Sequence, residues 1–214
     1  MKTLRIPFIE GLDSMSWEAR EKAMALHAAK ASADTVNWPA EWPYCPIMDF
    51  HAARGETMLF IMYHVRGLDL RAEALEDNGP VWEDSCCEFF VSDPSDGTYY
   101  NFEMNCIGTL LASKRKSRSE FVRFTDEQLA MISRYSSLAR GRYDISDSLF
   151  SWETGIGIPF RLIGFDPDNL PASARANFYK CADRSAHPHF VSWNPIDVPS
   201  PDFHRPEFFG ELTF

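Results

Sequence analysis

The chain has 214 residues, a mass of 24.5 kDa and a formal net charge of −10. A chain of this length can bury roughly 70% of its unfolded surface in one domain, so it needs no disulfide or metal in order to fold. Its pI near 5.0 excludes a general nucleic-acid binder, which needs a basic surface to displace counterions from phosphates. Aromatic residues make up 14% of the chain, which is typical of β-rich domains.

The cysteines are odd in number and form no CxxC pair, so they indicate neither a disulfide framework nor a zinc site. We expect them to be small buried hydrophobes. The amino terminus has no apolar stretch of the length that a secretory leader needs, and no 18-residue apolar span occurs in the chain. We expect no membrane span and a cytoplasmic protein as written, or a secreted or periplasmic one if a leader was removed. The cysteines are Cys45, Cys86, Cys87, Cys106 and Cys181.

The first elements can be predicted in chain order. Residues from Ser14 to about Ala33 are good helix formers without Gly or Pro, and predict a helix. The proline-rich stretch from Pro39 to Pro46 lacks the amide donors of a central strand, so it predicts an extended edge or a loop. Residues Leu59 to Val65 are apolar on both faces and predict a buried strand.

A hairpin follows, with strands predicted at Cys86 to Ser92 and at Thr98 to Cys106. The connection begins with Asp93 and Pro94 and ends with Gly97, which suits a type I turn followed by a residue at positive φ.

Later segments predict a short helix and several strands. Thr125 and Gln128 match a capping box and start a helix through about Arg134. Many short strands, interrupted by only two helical segments, predict an all-β fold. We expect a two-sheet antiparallel β-sandwich of the jelly-roll kind with short helical insertions, as a single domain over residues 1–214. The later strands are predicted at Phe150 to Ile158, Ala176 to Ala182, His189 to Trp193 and Glu211 to Phe214.

The second hairpin strand alternates so regularly that each side chain can be given a face. One face is apolar, with Tyr100, Phe102, Met104 and Cys106. The other face is polar, and Glu88 lies on the paired strand. Carboxylates and amides match the hydroxyls of a sugar, so we interpret it as a binding face, the alternative being the solvated side of a half-exposed sheet. The polar face consists of Tyr99, Asn101, Glu103 and Asn105.

Trp82 and Trp193 are candidates for stacking against a sugar ring, because an indole offers a flat apolar face. Trp82 follows the loop signature Asn78-Gly79-Pro80, and Trp193 precedes Asn194-Pro195. Both tryptophans are therefore expected at strand ends, where an aromatic ring can stand exposed. The alternative for each is a place in the core.

Other residues suggest different chemistry. Glu88 and Glu103 on adjacent strands could act as the acid and base pair of a glycan hydrolase. A calcium ion could be held by aspartates, although turn and cap roles explain them as well. His187, His189 and His204 lack the helical spacing of a zinc protease and are predicted to be structural or sugar-contacting. The calcium candidates are Asp84, Asp93 and Asp96.

One basic run, Lys114-Arg115-Lys116, is followed by Arg118 and Arg123. We predict a solvated loop, the alternative being contact with an acidic glycan or an acidic partner.

Four segments resemble carbohydrate-binding module family 9-like proteins of bacteria, and the resemblance extends from about Asn37 to Phe214. It implies a β-sandwich related to the DOMON group that binds the end of a sugar chain between two tryptophans, without catalysis. The typical member is attached to a secreted enzyme, whereas this chain stands alone and adds a helix and the basic run. The segments are VNWPAEWPYCP, VWEDSCCEFFVSDPSDGTYYNFEMNCIG, ANFYKCADRSAHPHFVSWNPI and PDFHRPEFFGELTF.

By this resemblance Trp82 is the first stacking tryptophan, Trp193 the second, and Glu88 a carboxylate that binds hydroxyls. Asn105 or its neighbours supply further polar contacts, and several members hold structural calcium. The partner is then a mono- or oligosaccharide. DOMON relatives that hold haem between Met and His suggest a remoter alternative, for which His64 and Met104 are the candidates.

Overall fold

The computed structural model describes residues 1–93 and 95–214 and consists mainly of β-strands. The strands are β1 (Thr3–Arg5), β2 (Ala29–Ser32), β3 (Thr35–Val36), β4 (Ile47–Arg54), β5 (Met58–Gly67), β6 (Leu70–Ala72), β7 (Cys86–Ser92), β8 (Tyr99–Asn105), β9 (Leu110–Arg115), β10 (Phe121–Arg123), β11 (Ser133–Ser136), β12 (Tyr143–Ile145), β13 (Phe150–Pro159), β14 (Ser173–Cys181), β15 (Phe190–Ser192) and β16 (Gly210–Thr213).

Two α-helices and four short 3-10 helices complete the described part of the chain. Helix α1 begins after Ser16, whose hydroxyl accepts a hydrogen bond from the amide of Ala19. Thr125 and Gln128 form the predicted capping box at the start of α2. None of the helices among the described residues is long and apolar enough to span a membrane. The helices are α1 (Trp17–His27), α2 (Asp126–Ala130) and the 3-10 turns Leu12–Ser14, Val81–Glu83, Phe160–Ile163 and Pro206–Phe208.

The strands form two main sheets. The larger sheet has the order β1-β16-β14-β7-β8-β9-β10, with β15 beside β14 and β3 beside β15. The smaller sheet has the order β11-β13-β5-β4-β2, and β6 with β12 forms a separate ribbon. Strand β1 runs parallel to β16, and the other named strand pairs are antiparallel. The predicted all-β sandwich is therefore confirmed.

The two sheets pack face to face around the main core. Phe50 of the smaller sheet stacks on Phe178 of the larger sheet, with ring centroids 3.9 Å apart. Phe102 and Met104, from the predicted apolar face of β8, are buried in the same core. Burial of such rings removes large apolar areas from water and is the main stabilising contribution to a sandwich.

The outer faces of the two sheets are covered differently. Helix α1 lies on the smaller sheet, where Met24 packs with Phe60 and Met62. Loops cover much of the larger sheet, where Trp38 and Phe203 pack over Phe90 and Tyr179 in a second apolar cluster. All seven residues of β8 are consequently buried, polar and apolar alike.

Several predicted elements need correction. The first helix ends at His27, because residues 29–32 pair with β4 as an edge strand. The second helix ends at Ala130, and β11 follows it. Gly97 has the predicted positive φ of 72°, whereas Pro94 of the same turn lies outside the described residues. Cys45 is exposed, although the other cysteines are buried as predicted.

The basic run is a solvated loop only in part. Lys114 and Arg115 are the last residues of β9, and Arg123 ends the edge strand β10. Arg115 is only 5% exposed. These three residues therefore belong to the larger sheet, whereas Lys116 and Arg118 lie exposed in the turn between β9 and β10, as predicted.

Candidate functional site

A cleft of about 260 Å³ opens on the outer face of the larger sheet. Its floor is formed by side chains of β7, β8, β9, β10 and the end of β14. Its walls come from the 3-10 turn before β7, the β9–β10 hairpin, the loop after β14, the start of β15 and the loop before the last 3-10 turn. The floor residues are Glu88, Glu103, Arg115, Arg123 and Cys181, and the wall residues are Trp82, Arg118, Phe121, Asp183, Phe190, Pro201, Asp202, Phe203 and His204.

Glu88 and Glu103 lie directly opposite each other on β7 and β8. Opposed residues on one face of an antiparallel pair have their Cβ atoms about 5 Å apart, so two negative charges here would repel each other. Burial raises the pKa of Glu103 to about 7, and burial together with the nearby Glu103 raises the pKa of Glu88 well above its usual range. The floor of the cleft therefore offers carboxyl groups that can donate as well as accept hydrogen bonds.

A chain of hydrogen bonds orients these carboxyl groups. The Arg115 Nε donates to the Asn101 Oδ1 at 2.7 Å, and the Asn101 Nδ2 donates to the Glu103 Oε1 at 2.7 Å. The Cys181 thiol donates to the Glu88 Oε1 at 3.0 Å. Asn101 is fully buried, so it holds Glu103 and Arg115 in position from beneath and does not line the cleft.

Trp82 lies at the rim of the cleft and is half-buried. Its backbone is held, because its carbonyl accepts a hydrogen bond from the Asp183 amide at 3.1 Å and lies 3.6 Å from the Cys181 sulfur. Glu83, the next residue, pairs with Arg184 at 3.2 Å. The backbone is thus fixed while part of the ring stays open to solvent, as the sequence predicts.

The prediction that Trp193 stands exposed is wrong. Its side chain is 3% exposed and lies in the main core, edge-on to Phe50 and Phe178. The ring also leaves no room for a Cβ atom at Gly210. Trp193 follows β15 and faces the smaller sheet, so the two tryptophans cannot clamp a sugar between them.

Asn105 does not line the cleft either. It is fully buried, and its Nδ2 donates to the Ala74 carbonyl at 2.9 Å and to the Asp84 Oδ2 at 3.0 Å. Its Oδ1 accepts from the amide of Thr109 at 2.9 Å. Asn105 therefore ties the end of β8 to the preceding loop, which is a structural role.

The three aspartates predicted for calcium do not form a common site. Asp84 precedes β7, whereas Asp93 and Asp96 follow its other end. The oxygens of Asp84 accept from the amides of Glu73 and Ala74, each at 3.0 Å. The Lys114 ammonium contacts Asp93 at 3.1 Å and Asp96 at 2.8 Å, and so takes the place that a cation would need.

One other group of side chains has the composition of a metal site. The ligand atoms of Cys86, Glu88 and Cys181 lie within 4.8 Å of one another. Thiolates favour soft metals rather than calcium. Burial raises the pKa of Cys86 to about 12 and that of Cys181 well above its usual range, so a metal would have to displace protons from both thiols.

The residues suggested for haem lie far apart in the fold. Met104 is buried in the core between the sheets. His64 lies on β5, where its Nδ1 is 2.9 Å from the Glu153 Oε1 and its ring lies against that of His51. The neighbouring residues Tyr63 and Val65 face the core, so His64 points away from Met104.

The other histidines divide into structural and cleft-lining residues. The Nδ1 of His187 lies 2.9 Å from Asp69, and the Nε2 of His189 lies 2.9 Å from the buried Lys180 ammonium. His204 lines the cleft. Burial, together with the nearby Arg115, lowers the pKa of His204 to about 3, so its ring is neutral at physiological pH.

Several cleft residues were not identified as site residues from the sequence. They are Arg115, Arg118, Phe121, Arg123, Cys181, Asp183, Phe190, Pro201, Asp202 and Phe203. The basic run was the signal for the arginines, and its alternative interpretation as a ligand contact is compatible with their position. The phenylalanines carried no local signal, since an exposed ring and a core ring look alike in a strand pattern.

The fold and the cleft together define a β-sandwich protein with an open cleft on one sheet. Comparison with known families gives the class. The model of carbohydrate-binding family 9 matches residues 18–214. This chain belongs to carbohydrate-binding family 9.

Solved structures agree with this assignment. A candidate carbohydrate-binding protein from Bacteroides uniformis is 36% identical, covers 100% of this chain and 99% of its own, and superposes with a TM-score of 0.90. A family 9 module from Caldicellulosiruptor kristjanssonii in complex with glucose is 10% identical over 99% of this chain and 95% of its own, with a TM-score of 0.57. The cellotriose complex has a TM-score of 0.50 at 10% identity, over 99% and 93% of the two chains. Among curated proteins no significant match is found.

These comparisons do not favour the hydrolase alternative or the haem alternative, because each similarity is to carbohydrate-binding proteins.

Proposed function

We propose that this protein binds a mono- or oligosaccharide without cleaving it, and that one sugar ring enters the cleft on the outer face of the larger sheet. The observation that carries the proposal is the placement of Glu88, Glu103 and Arg115 on the floor of a cleft whose rim is the half-buried Trp82. The membership in carbohydrate-binding family 9 supports it.

The size and the lining of the cleft suit a small polar ligand. A volume of about 260 Å³ is slightly below the range of roughly 300 to 1,000 Å³ that is usual for drug-sized molecules. Trp82, Phe121 and Phe190 supply apolar surface for the faces of a ring. Carboxyl and guanidinium groups supply acceptors and donors for neighbouring hydroxyls.

Because Trp193 is buried, other aromatic residues supply the apolar surface opposite Trp82 in this proposal. Phe190 is half-buried and its ring is held edge-on by Trp42, with centroids 5.4 Å apart. Phe121 is 42% exposed. The related modules bind glucose and cellotriose, and we extend saccharide binding to this chain on the strength of the shared family.

The test is titration calorimetry with a panel of neutral and acidic mono- and oligosaccharides. A single ring in an open site should bind with a Kd in the micromolar to millimolar range, roughly −4 to −8 kcal/mol. Trp82→Ala should weaken binding at least about tenfold, because the stacking platform is lost. Reducing-sugar assays on the same oligosaccharides should show no hydrolysis.

Trp17→Ala is the matched control. Trp17, the first residue of α1, is also half-buried but packs against Tyr135 and Phe60 on the far side of the smaller sheet. It should bind sugar as the parent does. Absence of binding to every saccharide, or equal binding by the parent and Trp82→Ala, would contradict the proposal.

A further inference from the structure

Three arginines, Arg115, Arg118 and Arg123, line the cleft of a chain whose net charge is −10, beside four acidic residues. A second cleft of about 630 Å³ lies beside the edge strand β10 and shares Arg115, Phe121 and Arg123 with the first. The lining of the second cleft adds Lys114, Lys116 and Arg161. A strip of cations, interspersed with Asp96 and Glu120, therefore runs from the floor of the first cleft around the edge of the sheet.

Arg115 and Arg123 differ from the other cations of this strip, because neither has a carboxylate within 4.0 Å among the residues that the structure describes. Lys114 and Lys116, by contrast, are paired with acidic side chains. Arg115 is buried and Arg123 is half-buried. A guanidinium withdrawn from water without a counter-charge is costly in a folded protein, and ion pairing with a ligand would reduce that cost.

The hydrogen bonds of the two arginines leave donors for such a ligand. Arg123 uses Nη1 to donate to the Ser113 hydroxyl at 2.9 Å, and its Nε and Nη2 have no hydrogen-bond partner among the described residues. These two N–H groups point in parallel and fit the two oxygens of a carboxylate. Both guanidinium groups also lie against the ring of Phe121, at 4.4 and 4.7 Å from its centroid, which fixes their planes.

The two acidic residues on the floor do not cancel this positive charge. Burial raises the pKa of Glu103 to about 7, and burial together with the nearby Glu103 raises the pKa of Glu88 well above its usual range. Their negative charge is therefore reduced near neutral pH, while the arginines remain charged. On the wall, Asp202 pairs with Arg118 at 3.7 Å, and Asp183, whose pKa is raised only to about 6 by burial and the nearby Glu83, stays largely negative.

We propose that the preferred sugar is a uronic acid, a saccharide whose ring carries a carboxylate. Arg123 binds this carboxylate through two parallel hydrogen bonds, and Arg115 lies beside it. The inference rests on the proposed function and names the ligand class of the same site. The second cleft would then receive further acidic units of a longer chain, with Arg161 and Lys116 along its path.

The experiment compares sugars that differ only in the acid. Titration calorimetry at about neutral pH would use glucose against glucuronic acid and galactose against galacturonic acid. The acid of at least one pair should bind at least about tenfold more tightly than its neutral partner. Because ion pairs are screened, the preference should shrink between about 0.05 M and 0.5 M salt.

Two substitutions at Arg123 sharpen the test. Arg123→Gln should reduce the preference for the acid to less than about threefold, because the affinity for the acid falls more than the affinity for the neutral sugar. Arg123→Lys keeps the charge but not the parallel donors, so it should retain only part of the preference. Arg142→Gln is the control, because Arg142 is exposed, pairs with Glu73 and lines neither cleft. Melting temperatures verify that each variant is folded.

The outcomes separate this inference from the proposed function. Equal or tighter binding of the neutral sugar in both pairs would overturn the uronic-acid inference and leave saccharide binding standing. An acid preference that survives in Arg123→Gln would overturn the assignment of the carboxylate to Arg123. If no neutral or acidic sugar binds to the parent protein, both proposals fail together.

Discussion

Trp82 and Trp193 have similar sequence surroundings and opposite positions in the fold. Each lies beside a loop that contains proline, yet Trp82 forms the rim of the cleft and Trp193 fills the core between the sheets. The amide of Trp193 donates to the Phe178 carbonyl at 2.8 Å, which continues the pairing with β14 and directs the ring inward. A loop next to an aromatic residue therefore indicates the end of a strand, but not the face on which the ring lies.

The largest expected effect is on stability at the inner tryptophan. Trp193→Ala should lower the free energy of unfolding by about 3 to 5 kcal/mol, because it leaves a large cavity among Phe50, Phe178 and Gly210. Urea denaturation followed by circular dichroism measures the change. Trp193→Phe, which keeps an aromatic ring, should lose clearly less. A loss below about 1.5 kcal/mol in the alanine variant would contradict the core assignment.

A second expected loss of stability concerns Asn105. The sequence suggests a sugar contact for this residue, whereas in the structure it ties the end of β8 to the loop before β7. Asn105→Ala should cost about 1 to 3 kcal/mol, since it leaves the carboxylate of Asp84 and the carbonyl of Ala74 with fewer buried partners. Sugar affinity of the folded variant should be unchanged by calorimetry. A selective loss of affinity at full stability would restore Asn105 to the binding site.

The next expected effect is a dependence of the free energy of unfolding on pH, caused by Glu103. The pKa of Glu103 is about 7 in the fold against about 4.3 in an unfolded chain, so the folded chain binds more protons between these values. The free energy of unfolding contributed by this group is therefore fully present below about pH 4 and is lost as the pH rises through about 7. Relative to Glu103→Gln, the parent should lose on the order of 1 to 3 kcal/mol between pH 5 and 8.

Denaturation of the parent and Glu103→Gln at several pH values measures this difference. Glu120→Gln is the control, because Glu120 is exposed and its salt bridge within the described part of the chain is to the equally exposed Lys116. A difference between parent and Glu103→Gln that is constant over this pH range would refute the raised pKa.

The smallest expected effect on stability is at the outer tryptophan. Trp82→Ala should lower the free energy of unfolding by less than about 1.5 kcal/mol, because the ring is only half-buried and its backbone is held by Asp183 and Cys181. Fluorescence-monitored denaturation gives the value. If Trp82→Ala were as damaging as Trp193→Ala, the rim would be part of the core and the contrast between the two rings would disappear.

The strand pattern allowed much of the fold to be predicted. Alternation in β8 assigned Phe102 and Met104 to the inner face, and the turn residue Gly97 marked the hairpin. The short edge strands β2 and β11 could not be predicted, because local helix propensity around Ala29 and Arg134 favours another structure and only tertiary pairing overrides it.

The candidate site was predictable only in part. Glu88, Glu103 and Trp82 were identified from the sequence, and they line the cleft. Alternation also placed Asn101 and Asn105 on the correct face, but it could not show that loops cover part of that face and that both amides are used inside the protein. Which polar residues remain available for a ligand depends on contacts between residues far apart in the chain, such as Asn105 with Asp84.

Helix α1 closes the outer face of the smaller sheet, so the two sides of the molecule are not equivalent for attachment to a surface. Lys22 on α1 has a side chain that is 73% exposed and pairs with Glu18 at 2.7 Å. A biosensor chip or a fluorescent dye coupled to this amine would leave the opposite side free to meet glycans in solution. Coupling through Lys116, beside the second cleft, would instead obstruct the approach of a long chain.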